Sequence, residues 1–138
     1  EQFAKLAKSE QWAAVLFCGD GLSDARWLER ELPMEIHYVA GNCDPGYSAK
    51  RELLLSYGGV RFLLTHGDRY SGLRYDLSSL SLRAEEAGAA VAVFGHTHRA
   101  TAEYCGPTLM VNPGALKDGR YAILEVEDGR VKPFLRQL

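Results

Sequence analysis

Four short apolar runs, VLFC, IHYVA, FLLT and VAVF, each end in a turn that carries a glycine and a residue able to bind a metal. The residues in those turns are Asp20, Asn42, His66 and the pair His96 and His98. Runs of this length and composition read as strands of a buried sheet. Ligands gather in the crevice beyond the C-terminal ends of such strands, because the loops converge there while the strands fix their positions. The chain is therefore expected to be an α/β protein that gathers these side chains in one crevice.

The remaining pattern fills in that frame. Phe3, Leu6 and Ala7 follow helical spacing from the first residues, with no capping residue before them, and the chain opens on Glu1 rather than Met, which reads as a cut within a longer pattern. Ser23 is expected to cap a helix through Arg26, Trp27, Leu28 and Leu32 that Pro33 stops. Residues 52–56 and 60–65 read as strands joined at Gly58-Gly59. Leu73, Leu77, Leu80, Ala84 and Ala87 predict a helix ended by Gly88. Residues 101–105, 108–111, 121–126 and 131–135 read as strands, the last two joined at Asp128-Gly129. Alternating helices and strands followed by hairpins give a sandwich of two sheets with helices outside, in one domain covering residues 1–138.

Composition narrows the function. The 16 basic and 18 acidic residues are interspersed and nearly cancel, which leaves no electrostatic footprint for duplex nucleic acid or an anionic membrane. The three cysteines, Cys18, Cys43 and Cys105, lack CxxC spacing and fit a reducing, cytoplasmic compartment. No apolar run approaches the ~18 residues of a membrane span, and nothing at the start reads as a signal peptide. Dinucleotide-binding, P-loop and serine-hydrolase signatures are absent.

Taken singly, Asp20 and Asn42 read as turn residues and His66 as a hydrogen-bonded histidine. His96-Thr97-His98, two imidazoles in a turn straight after a buried strand, favours metal more strongly. His37 lies inside a strand and reads as structural. One carboxylate, one amide and several imidazoles suit Mn, Fe(II), Ni or Zn rather than Ca or Mg. A carboxylate can bridge two such ions, and a pair ~3.5–4 Å apart suits in-line displacement at phosphorus, so phosphate-ester hydrolysis is the chemistry expected.

Gly19-Asp20, Gly41-Asn42-Cys43-Asp44, Thr65-His66-Gly67 and Gly95-His96-Thr97-His98, in this order, resemble motifs two to five of the calcineurin-like metallophosphoesterases. Asn112-Pro113-Gly114 and the Gly-Asn-Cys-Asp variant look like the small, capless phosphodiesterase branch of the bacterial YfcE type. The resemblance implies a four-layer αββα sandwich of two mixed β-sheets flanked by helices, with the first strand missing here. It implies Asp20 as a bridging ligand, with Asn42, His66 and His96 completing one metal site and His98 serving the other. That other site is completed in the family by an Asp-x-His motif on an N-terminal strand, which this sequence does not contain. Two ions are thus expected in the complete protein, with manganese foremost and Fe, Ni or Zn as alternatives.

Cys43 stands where many members of the superfamily have a histidine that protonates the leaving oxygen. A thiol of ordinary pKa ~8.5 is a weaker acid for that task, and Cys43 reads equally as a small buried hydrophobe. Asp68 replaces a histidine frequent in this branch, with no role evident from sequence. The expected partner is a small phosphodiester, with a homo-oligomer left open. The rival reading is a protein-binding scaffold similar to the small retromer subunit. A phosphomonoesterase is less well supported without histidine at position 43.

Overall fold

The structure, a computed structural model, describes residues 2–10, 12–19, 22–41, 50–70 and 76–138. The element order is α1 (Gln2–Ser9), β1 (Ala14–Phe17), α2 (Leu22–Glu31), β2 (Glu35–Tyr38), β3 (Glu52–Tyr57), β4 (Val60–Thr65), α3 (Ser78–Glu86), β5 (Val91–Val93), β6 (Thr101–Cys105), β7 (Thr108–Asn112), a 3-10 turn (Leu116–Asp118), β8 (Arg120–Glu127) and β9 (Arg130–Gln137).

The central layer is a mixed five-stranded sheet in the order β3-β4-β5-β7-β6. Its middle strands β4, β5 and β7 run parallel, and the hairpin partners β3 and β6 close it antiparallel at both edges. One face presents Val60, Phe62, Leu64, Val91, Val93, Leu109 and Val111 to a core completed by Leu16, Ala122, Leu124, Val126 and Val131 from the neighbouring layer. The other face presents Leu63, Ala92 and Met110 to Leu80 and Ala84 of α3. Alternate residues of one strand thus serve two cores, as the period-two geometry of a strand requires. Each buried Leu or Phe contributes about 1.5–3 kcal/mol.

The neighbouring layer contains β1 paired in parallel with β2, and β8 paired antiparallel with β9. Among the described residues no ladder joins the two pairs. The outer side of β1 and β2 is covered by α1 and α2 through Ala4, Ala7, Val15, Leu28, Leu32 and Ile36. Phe3 of α1 also meets Tyr121 of β8 edge-on, with ring centroids 5.9 Å apart, so α1 reaches across both pairs. The expected αββα layering is the architecture found.

Local departures have physical causes. VLFC predicts a strand buried on both faces, but only Val15 of β1 is buried, because among the described residues β1 has a ladder on one side alone. α2 begins at Leu22, which puts Ser23 inside the first turn rather than at the cap. α3 begins at Ser78 instead of extending back through Leu77, because Asp76 Oδ1 accepts the Ser78 N–H at 2.9 Å and its hydroxyl at 2.7 Å. Leu73 lies outside the described residues. The hairpin at Gly58-Gly59 takes φ of +56° and +80°, the paired positive values that favour glycine in a two-residue turn.

His37 is structural, as expected. Tyr57 OH donates to Glu35 Oε2 at 2.7 Å and stands 2.8 Å from His37 Nε2, which ties β2 to β3. These bonds from Tyr57 and then His37 hold the Glu35 carboxyl below its usual range. Tyr57 and Glu52 mark opposite ends of β3, about 17 Å apart at the rise of an extended chain, so this cluster is remote from the strand ends where the candidate ligands lie.

Candidate metal centre

His66 follows β4 directly and is 2% exposed. Its Nδ1 lies 2.7 Å from the carbonyl oxygen of Cys18, at the end of β1. A carbonyl can only accept, so Nδ1 carries a proton and Nε2 is the nitrogen left to offer a lone pair to a metal. Gly19 makes this approach practicable. Its φ is +96°, and a Cβ there would come within 2.8 Å of Gly41 N and 3.0 Å of His66 Nδ1. The turns after β1, β2 and β4 therefore meet around one imidazole.

The turn after β5 joins them. Gly95 N–H donates to the His66 carbonyl at 2.9 Å, and a Cβ on Gly95 would stand 3.2 Å from Cys18 Cβ. His96 and His98 follow with φ of +64° and +58°, a left-handed conformation that is uncommon outside glycine. Strain of this kind costs about 1–3 kcal/mol per residue and persists only where surrounding groups impose it. Here they are Thr97, whose N–H donates to Gly95 O at 2.7 Å and whose Oγ1 accepts the Arg99 N–H at 3.2 Å, and Asn112. Asn112 is fully buried at the end of β7. Its Nδ2 donates to Gly95 O at 3.1 Å and to Thr97 Oγ1 at 2.9 Å, while its Oδ1 accepts the Gly114 N–H at 2.9 Å. The Asn-Pro-Gly sequence marks a turn, but the hold of Asn112 on the histidine loop is not visible in it.

The outcome is a juxtaposition of two imidazoles 30 residues apart in sequence, with His66 Nε2 at 3.3 Å from His96 Nδ1 and the rings tilted 74° to each other. Two nitrogens bound to one ion at ~2.0–2.1 Å and a tetrahedral angle stand about 3.3–3.4 Å apart. The pair thus fits a shared divalent ion. His98 is exposed two residues further along the same loop. Asp20, Asn42 and Cys43 lie outside the described residues, although Gly19, next to Asp20, borders the His66 ring and Gly41, next to Asn42, stands against Gly19. Among the described residues no three His, Cys, Asp or Glu side chains converge to hold an ion.

Two carboxylates near the crevice have partners. Arg51 Nη1 lies 3.7 Å from Asp68 Oδ2, which gives Asp68 a partner that sequence did not suggest. Glu52 accepts from Tyr70 OH on one oxygen and from Arg83 Nε at 3.2 Å on the other.

Burial pushes the Cys18 thiol up from 9.0 to about 12. Its raised folded-state pKa means that the folded chain keeps a proton the unfolded chain gives up. The stability this contributes is full below about pH 9 and is lost as pH rises towards about 12. Urea midpoints are expected to fall from neutral to about pH 10, and to fall less in Cys18→Ala; equal falls in both proteins would refute this assignment.

A sequence model described as the calcineurin-like phosphoesterase superfamily domain matches residues 1–129. The chain belongs to the calcineurin-like phosphoesterase superfamily. It is similar to the probable metallophosphoesterase YsnB of Bacillus subtilis (strain 168), with 39% identity over 120 residues, 83% of this chain and 69% of that protein. A Streptococcus pneumoniae protein described as a predicted phosphoesterase superposes with a TM-score of 0.80 at 25% identity, covering 99% of this chain and 79% of that one. A single mutant of Vps29 from Entamoeba histolytica shares the fold, with a TM-score of 0.80 at 19% identity, covering 99% of this chain and 88% of that one. Within this calcineurin-like phosphoesterase fold, the strand-end crevice is where the paired histidines lie. No helix among the described residues is long and apolar enough to cross a membrane.

Proposed function

We propose that the complete protein hydrolyses small phosphodiesters as a divalent-metal enzyme, with His66 and His96 as shared ligands of one ion. The observation that carries the reading is the 3.3 Å separation of His66 Nε2 and His96 Nδ1 at the strand ends. Asn42 and Asp20, in the turns that adjoin Gly41 and Gly19, complete that site in the proposal, and Asp20 with His98 serves a second ion. The mixed nitrogen and oxygen donor set favours manganese, with Fe, Ni or Zn as alternatives. Bound there, such ions supply charge stabilisation at phosphorus and acidify the attacking water.

The protein's own groups set up that chemistry. The Cys18 carbonyl fixes the His66 tautomer and ring orientation. Asn112 and Thr97 hold the loop that presents His96 and His98. In the proposal Cys43 supplies only a weak acid to the leaving oxygen, so esters with acidic leaving groups are favoured. The printed name of YsnB, a probable metallophosphoesterase, supports the enzyme reading. Free Cys18 and Cys105 agree with a reducing, cytoplasmic compartment.

Likeness to Vps29 favours a second reading, a non-catalytic scaffold of the same fold. Turnover of bis(p-nitrophenyl) phosphate with added Mn, Fe(II), Ni or Zn separates the two. Metal-dependent release of nitrophenol, abolished by a chelator and restored by the ion, is the expected result. No release with any of the four ions would leave the scaffold.

A further inference from the structure

Thr65 of β4 faces Glu52 of β3 in the ladder, so the next opposed pair outward is His66 and Arg51. Leu53 and Leu55 of β3 and Phe62 and Leu64 of β4 point into the inter-sheet core. By strand alternation Arg51 and His66 continue that face, towards the crevice. Two further bonds fix the backbone there: Ala40 N–H donates to Lys50 O at 2.9 Å, and Thr65 Oγ1 donates to Arg51 O at 3.3 Å. Arg51 is thereby pinned between the ends of β2 and β4.

Because β3 and β5 flank β4 on opposite sides, Arg51 lies on the side of His66 away from His96. The strand spacing puts it about 5 Å from His66 across the ladder and about 10 Å from the β5 end. Its side chain is 45% exposed, and at 3.7 Å its contact with Asp68 is an ion-pair attraction rather than a directed hydrogen bond. The nearby Glu52 is engaged on both oxygens by Tyr70 and Arg83 and does not compete for it. A planar fork of five donors, held loosely by one carboxylate among the described residues at the rim of an anion-processing site, is suited to an incoming oxyanion.

We propose that Arg51 is a specificity-determining residue that binds a second anionic group of the substrate, one strand spacing from the reacting phosphate, in exchange for its loose contact with Asp68. This rests on the phosphodiesterase reading and narrows its substrate class to diesters whose retained portion carries a further phosphate or carboxylate.

The test uses two p-nitrophenyl esters of a thymidine nucleotide, one with and one without a phosphate on the second sugar hydroxyl. The wild-type protein is expected to prefer the doubly charged ester in kcat/KM. Arg51→Ala should lose about tenfold on that ester, mainly through KM, and stay within about twofold on the other, with Arg51→Lys between. Asp68→Asn should keep the preference, since it removes only the competing carboxylate. Equal losses on both esters, or Asp68→Asn reproducing Arg51→Ala, would overturn the proposal. Should neither ester turn over, the phosphodiesterase reading fails, and equilibrium binding of the two esters decides the role of Arg51 on its own. Tighter binding of the doubly charged ester that Arg51→Ala abolishes would uphold that role, and equal affinities would end it.

Discussion

Turnover of an aryl phosphodiester is expected to fall at least a thousandfold in both His66→Ala and His96→Ala. The size follows from the role. A metal supplies several kcal/mol of stabilisation to charge developing at phosphorus, and about 4 kcal/mol corresponds to three orders of magnitude. The two variants differ in what else they disturb. His66 is 2% exposed and takes up the Cys18 carbonyl, so His66→Ala also opens a cavity and leaves an acceptor without its donor. His96 is exposed, and its replacement should leave the melting temperature nearly unchanged. Bound metal counted by mass spectrometry should drop in both. His96→Ala with undiminished metal content and turnover would remove the pair from the proposed centre.

Asn112→Ala has the second large effect, and it acts at a distance. The side chain makes three hydrogen bonds from a fully buried position, two of them to the loop that carries His96 and His98. Removing it leaves the Gly95 carbonyl and the Gly114 N–H without that partner, at about 1–3 kcal/mol for each group left unsatisfied. A loop with two strained histidines then loses the contact that imposes their conformation. Metal affinity is expected to weaken ten- to a hundredfold, the usual cost of losing a group that orients ligands. Isothermal titration with Mn, beside chemical denaturation, reads both effects. Affinity unchanged alongside a lowered denaturation midpoint would make Asn112 a purely structural residue.

Sequence made the strand ends legible for a definite reason. An apolar run broken by glycine states where a buried strand stops, and a ligand-type residue next to the break states what the stop presents. His66 and His96 follow from that logic, and the structure brings them together. The grip of Asn112 does not follow, because its acceptor, Gly95 O, is 17 residues away and is a backbone atom with no signature of its own. Asp68 was opaque for a similar reason. Its partner Arg51 reaches it only because β3 and β4 pair in one particular register. α3 begins later than its helical spacing implies, because that spacing continues through Leu77 while the local bonds of Asp76 decide where the helix begins.

The two pairs in the neighbouring layer, separate among the described residues, give the site an uneven foundation. His66 and His96 are anchored in the five-stranded sheet, whose ladders and two cores must open together. The Cys18 carbonyl that sets the His66 proton belongs to the end of β1, a strand of four residues that pairs, among the described residues, with β2 alone. Short ladders of that kind open in local fluctuations well below the free energy of global unfolding. Amide hydrogens of β1 and β2 should accordingly exchange ahead of those in β4, β5 and β7. Each such opening releases the His66 ring to change tautomer while both histidines stay in place. In the proposed centre the histidine pair is therefore held by one set of ladders and the His66 tautomer by another.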